Sequence, residues 1–131
     1  MKKKGIIRNV SNDKSAIAAP KAEHDGLDPE EEERMKKIAI GYWLMRPDEL
    51  VTPIEFINEF DCVGQVQLHS HHTEEFFYVL FGEGVMQIGD ETNILVKPRD
   101  LIYTPPDVAH SIRPKREGEK VRCFCFAVKV V

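Results

Sequence analysis

The sequence predicts an all-β domain, a sandwich or a barrel, and three observations carry that reading. From Glu75 onward, short runs rich in Val, Ile, Phe and Tyr alternate with Gly, Pro, Asn and Asp clusters, the pattern of antiparallel strands joined by tight turns. The last run, Val121 to Val130, is apolar at odd and even positions alike, which suits a strand covered on both sides. With 131 residues, 42% of them hydrophobic, the chain can bury one core without disulfide staples.

Residues 1 to 27 are polar, show little periodicity and carry Ser11-Asn12-Asp13 and Ala18-Ala19-Pro20 as breaks. An extended or partly disordered arm is expected there. Asp28 to Lys37 reads as a short helix: Asp28 is a good N-cap, Pro29 suits the first turn, and Glu31 completes a capping-box spacing. Acids lead and bases trail, which favours the helix dipole. Its acidic side reads as a solvated face, and so short a helix must pack on something to persist. Ile38 to Met45 and Pro53 to Phe60 are the next strands, connected around Asp48-Glu49.

After them come Glu75 to Phe81, Val85 to Ile88, Asn93 to Val96, Leu101 to Thr104, His110 to Arg113 and the closing Val121 to Val130. Gly82-Glu83-Gly84, Gly89-Asp90-Glu91, Lys97-Pro98-Arg99-Asp100 and Pro105-Pro106-Asp107 supply the turns between them. The chain therefore divides into an arm with a helix, residues 1 to 37, and a β domain, residues 38 to 131.

Composition excludes several functions. A net charge of −4 gives no electrostatic footprint for nucleic acid. No apolar run is long enough for a membrane helix, and Met1-Lys2-Lys3-Lys4-Gly5 is basic without the apolar region of a signal peptide. A reducing cytoplasm is the expected setting. Cys62 lies alone, while Cys123 and Cys125 share one face of one strand; this is no disulfide framework, and all three read as small buried hydrophobes.

One stretch carries chemistry. Residues 69 to 75 read His-Ser-His-His-Thr-Glu-Glu, and His110 follows a Pro-Pro turn. Imidazole and carboxylate ligands sit about 2.0 to 2.2 Å from a metal ion, so they must converge on one point. His69 and His71 share a face of a strand, whereas His72 and Glu74 point elsewhere, into a solvated turn. From that turn they can still hydrogen-bond ligand imidazoles. Glu75 has the right parity, but an unbroken strand would carry it roughly 13 Å past His71. A turn near His72-Thr73-Glu74 is therefore expected, with Glu75 opening the next strand beside the His pair across an antiparallel ladder. A His-x-His pair alone is surface decoration as readily as a site, and His24 and His72 have no assigned role. The Glu at the right offset and the later His110 favour a metal site.

Around these residues the chain resembles a small single-domain cupin, a double-stranded β-helix or jelly-roll barrel. His69, His71, Glu75 and Gly82 fit the family's first motif in register, and Tyr78-Val79-Leu80 and Gly82-Glu83-Gly84 are similar to its usual wording. The motif's leading Gly is replaced by Val63, with Gly64 one place late. In the second motif Arg99, Asp107 and Pro114 replace the usual Gly, Gly and Asn, while Pro105 and His110 are kept. Asp can occupy a left-handed turn at modest cost; Arg99 and Pro114 alter the local turn chemistry. The resemblance spans roughly residues 53 to 128. It implies His110 as the fourth ligand, and a homodimer, since arms of this kind in cupins pair with a neighbouring subunit's sheet.

The cofactor expected is one divalent transition metal, iron, manganese, nickel, copper or zinc, because three imidazoles and a carboxylate suit each of them. Four protein ligands on an octahedral ion leave room for a bidentate oxygen substrate or for substrate plus dioxygen. Parity places Gln65 and Gln67 on the face of His69, Phe77 and Val79 on that of Glu75, and Ile112 on that of His110, with Arg113 opposite. Gln67, Phe77, Val79 and Ile112 are thus candidate ligand contacts, although the last three serve equally well as barrel core. With no Lys or Arg placed inward, a small, partly apolar molecule with an oxygen donor fits better than a phosphorylated sugar. The resemblance allows oxygenase, lyase, isomerase or decarboxylase chemistry, with Glu75 as a base if it leaves the metal. The alternative is a non-catalytic or sensory module that captures a small molecule; no residues remain for a helix-turn-helix output. An inert barrel holding a structural ion is the third reading.

Overall fold

The computed structural model describes residues 5–9, 17–18 and 29–130. Asp28, His24 and most of the expected arm lie outside the described residues, as does the Glu31 side chain. The described strands and α-helix are β1 (Ile17–Ala18), α1 (Pro29–Lys36), β2 (Ala39–Met45), β3 (Ile54–Cys62), β4 (Thr73–Phe81), β5 (Gly84–Ile88), β6 (Glu91–Val96), β7 (Leu101–Thr104), β8 (His110–Pro114) and β9 (Val121–Lys129), with a 3-10 turn at Pro47–Glu49 between β2 and β3. No described helix is long and apolar enough to cross a membrane.

The strands form a six-stranded sheet in the order β1-β2-β3-β9-β4-β7 and a three-stranded sheet in the order β6-β5-β8. Every pairing is antiparallel, and strands adjacent in sequence repeatedly change sheet, which is the jelly-roll barrel. Phe60, Phe77, Val79 and Cys123 from the large sheet meet Met86, Val96 and Ile112 from the small one in a single buried cluster. The alternation of side chains along each strand explains this: Val121, Cys123, Cys125 and Ala127 of β9 are buried, and the residues between them are only half-buried. The outer face of β9 is thus partly covered, less than its apolar sequence suggests.

Register turns this alternation into rows across the inner face. Phe56, Ala127, Glu75 and Thr104 stand in one row, and Trp43, Asn58, Cys125, Phe77 and Ile102 in the next. The three thiols are free and buried, and burial pushes Cys62 and Cys123 up to about 12. They behave as small hydrophobes and not as nucleophiles.

The altered second motif keeps its backbone. Arg99 and Asp107 adopt left-handed φ values of 78° and 64°, a conformation that costs a non-glycine residue about 1 kcal/mol. Backbone bonds fix both turns: Arg99 N–H donates to Val79 O at 2.9 Å and Asp107 N–H to His71 O at 2.7 Å. Pro114 ends β8 opposite Gly84, and β8 is an edge of its sheet, where a missing N–H is tolerated. At the other end of the described chain, Arg8 holds Glu49 through bonds of 2.9 and 2.8 Å. These lower the Glu49 carboxyl to about 2 and tie residues 5–9 to the end of β2, where Arg8 also donates to Leu44 O.

Candidate metal centre

His69 lies beside His110, each donating its backbone N–H to the other's carbonyl at 3.1 and 2.8 Å. The segment before β4 thus runs along β8 as a short antiparallel bridge. Glu75 stands in the opposite sheet, between Ala127 of β9 and Thr104 of β7. Ligand convergence is therefore across the interior between the sheets. The ladder expected between Glu75 and the His pair is not formed, and the turn falls before Thr73, since Thr73 and Glu74 already belong to β4.

The ligating nitrogens of His69, His71 and His110 lie within 4.8 Å of one another. Glu75 Oε2 is 3.6 Å from both His71 Nε2 and His110 Nε2. Two atoms bound to one ion at about 2.1 Å are at most about 4.2 Å apart, so the carboxylate sits at ligand spacing from His71 and His110, and the imidazoles need only small rotations. His110 Nε2 is buried with no hydrogen-bond partner, an arrangement that a cation relieves. The other ring nitrogens are used differently. His69 Nδ1 lies 2.6 Å from Gln67 O and His110 Nδ1 3.2 Å from Val108 O. A carbonyl only accepts, so Nδ1 carries the proton in each ring and Nε2 keeps its lone pair, the second contact that orients metal-binding histidines. Burial, then the neighbouring His69, holds the His110 imidazole down to about 4, which keeps it in the ligand form. These residues fit a divalent metal.

The remaining candidates separate. Gln65 and Gln67 are exposed, which corrects the inward placement. Val66 N–H donates to Ile112 O at 2.9 Å and His69 N–H to His110 O at 3.1 Å, so three residues on one strand span two on the other. The extra residue, a bulge, breaks the two-residue parity before it reaches Gln67. Val66 takes the inward place and packs against the core. Phe77 sets its ring edge-on to His110 with centroids 6.0 Å apart. Val79 and Ile112 belong to the buried core cluster. His72 points outward to Asp107, 2.9 Å away, and Glu74 accepts from the Tyr103 hydroxyl on the outer surface.

Two buried polar residues on the inner face were passed over in the sequence. Asn58 and Thr73 are 8% and 6% exposed, and Asn58 Oδ1 and Thr73 Oγ1 have no hydrogen-bond partner. The signal for Asn58 was its parity with Phe56 and Phe60 in an otherwise apolar row.

The cupin-domain family pattern matches residues 61–127, which contain all four candidate ligands. The chain belongs to the cupin family. Its barrel is similar to that of a predicted oxalate decarboxylase from Thermotoga maritima, with a TM-score of 0.64, 19% identity and coverage of 70% of this chain and 81% of the other. It is also similar to the polyketide cyclase RemF from Streptomyces resistomycificus, with a TM-score of 0.61, 22% identity and coverage of 70% and 66%. At such identities the likeness of this cupin to both is one of fold. The uncharacterized protein MJ1618 of Methanocaldococcus jannaschii is 46% identical over 46 residues, 34% of this chain. That match spans only 36% of the relative's own length.

Proposed function

We propose that this cupin binds one divalent transition metal through His69, His71, Glu75 and His110 and acts as a metalloenzyme on a small, partly apolar, oxygen-bearing organic molecule. The observation that carries the reading is the convergence of three imidazoles and the Glu75 carboxylate, with Oε2 3.6 Å from two of the ring nitrogens. A bound divalent ion supplies Lewis-acid polarisation of a substrate oxygen, and a redox-active ion adds dioxygen chemistry.

The chain's own residues do the rest. The Gln67 and Val108 carbonyls fix the tautomers of His69 and His110. Phe77 supports the His110 ring, and the buried apolar row behind it keeps water from that side of the cluster. Glu75 is the buried carboxylate of the cluster and the candidate proton acceptor, at Oε2. The names of the two structural neighbours, a predicted oxalate decarboxylase and a polyketide cyclase, support an enzymatic reading.

The proposed partner is a second copy of the chain. The outer face of the six-stranded sheet supports it: Tyr78, Leu101 and Tyr103 are exposed there, next to the stacked Phe76 and Phe126. Apolar patches of this kind mark interaction surfaces.

Elemental analysis of the purified native protein tests the metal centre. About one transition-metal ion per chain is expected, falling at least tenfold in His69→Ala, with turnover of any candidate substrate lost in parallel. A wild-type protein that neither carries nor takes up a transition metal would sink the reading.

A further inference from the structure

We propose that Asn58 is a substrate-binding residue of the metal pocket and receives a hydroxyl at the end of the ligand remote from the metal. The inference rests on the metal-centre reading above and extends it to a second anchoring point.

Placement comes first. Asn58 on β3 pairs with Cys125 on β9, which pairs in turn with Phe77 on β4. Asn58 and β4 are therefore two strand spacings apart, about 10 Å between backbones. In these two rows the strand between them presents Cys125 and Ala127 on its inner face, both buried. Small side chains there make a low floor, and the taller side chains of β3 and β4 form opposite walls, which meet where Phe60 sets its ring edge-on to Phe77 with centroids 5.9 Å apart. Glu75 stands on one wall and Asn58 on the other, one row apart. Trp43, 8% exposed, is Asn58's neighbour on β2. A ligand reaching from the cluster to Asn58 would thus meet the aromatic rings of Phe77 and Trp43, which stand in Asn58's own row.

Chemistry follows from what Asn58 lacks. Its side chain is more than nine-tenths buried, and Oδ1 makes no hydrogen bond. Buried amides in folded proteins are nearly always paired, and an unpaired one destabilises the ligand-free barrel. An amide that only filled space would have been better replaced by Leu. A hydroxyl is the group that fits in either orientation of the amide, because it donates to Oδ1 and can equally accept from Nδ2. No Lys or Arg occurs among the described buried residues, and Arg46 is held over the Trp43 ring at 5.2 Å, so a neutral hydroxyl suits the buried amide better than a carboxylate or phosphate. The ligand class is an apolar, ring-sized body with an oxygen donor for the metal at one end and a hydroxyl at the other.

The test uses cobalt(II)-loaded protein, whose visible spectrum reports ligands reaching the ion, and two 2-oxo acids that differ by one hydroxyl. Wild type should bind 4-hydroxyphenylpyruvate about tenfold more tightly than phenylpyruvate. Asn58→Leu should abolish that preference, leave phenylpyruvate and cobalt affinities within about twofold, and raise the Tm of the ligand-free protein by a few degrees. Asn58→Ala, which removes the amide without adding bulk, should lose the preference in the same way. An unchanged preference in both variants, no preference in wild type, or a Tm that falls in both variants would overturn the inference, the last by making Asn58 structural. Failure of wild type to take up cobalt would instead bring down the metal centre itself, and this inference with it.

Discussion

On the inner face of β3, β9 and β4 the buried side chains include Asn58, Thr73 and Glu75, whereas the outer face of the same strands holds Phe76, Phe124 and Phe126 half in solvent. Outside, Phe76 stacks on Phe126 with ring centroids 4.6 Å apart and leans on Tyr103 at 5.1 Å. The usual division, apolar inside and polar outside, is thus reversed near the metal end and kept in the rest of the barrel, where Val79, Met86 and Val121 are fully buried. Burying polar groups costs stability unless they are paired, and exposing a ring cluster invites association. Each reversed face therefore supports one of the proposals above, an ion and ligand inside and a second chain outside.

Charging the inner face is the strongest way to break this comparison. Burial, followed by the adjacent His69 and His71, holds the His110 imidazole down to about 4 from its ordinary 6.5, although the Glu75 carboxylate lies 3.6 Å away. A histidine depressed in this way favours the fold while neutral. The unfolded chain takes up a proton near pH 6.5, and the folded one only near 4. The contribution is therefore complete above pH 6.5 and is lost as pH falls toward 4. About 3 kcal/mol is at stake in the metal-free protein. Urea titrations of chelator-treated protein at pH 7 and pH 4.5 should show a loss approaching that size. The Arg8–Glu49 pair acts lower, between 4.5 and about 2, and does not confuse the window. Equal stability at both pH values would mean that Glu75 keeps His110 charged, and the inner face would then hold an ion pair of its own.

The outer face is tested by association. Tyr78 and Leu101 are 37% and 64% exposed and face each other across β4 and β7, so replacing either one alone by Glu, which avoids opposing like charges, should leave the folded chain within about 0.5 kcal/mol of its original stability. If a second copy covers this face, Tyr78→Glu or Leu101→Glu should each weaken the dimer at least tenfold, about 1.4 kcal/mol, in sedimentation velocity. A wild-type chain that sediments as a monomer at high micromolar concentration would remove the dimer from consideration.

The strands and their turns were legible because their signals are local. Gly82, Gly89 and Pro105-Pro106 punctuate runs whose ends the structure shifts by two residues or fewer, as at β6, which begins at Glu91 and takes in Asn93 at a φ of 57°. His69, His71 and His110 were legible because metal ligands must converge, and their ring nitrogens lie within 4.8 Å of one another, with the Glu75 carboxylate beside two of the rings. How they converge was not legible. Parity assumes an unbroken ladder, and the extra residue between Val66 and His69 breaks it, so Gln67 went to the wrong face. Asn58 was missed for a different reason: whether an inward amide finds a partner depends on neighbours from distant strands, and no spacing rule reports that.

Thr73 gives the smallest and most local test of the polar interior. Its hydroxyl is buried without a hydrogen-bond partner, on the same face of β4 as Glu75. Valine has the same shape without the oxygen, so Thr73→Val removes an unpaired polar atom and little else. A gain of about 1 kcal/mol is expected, read as a rise of roughly 3 °C in the Tm of the metal-free protein, with metal uptake unchanged. That result would confine the functional part of the inner face to the ligand cluster and Asn58. Lower metal affinity in Thr73→Val would extend it to the first residue of β4, because a hydroxyl that affects metal binding is not idle.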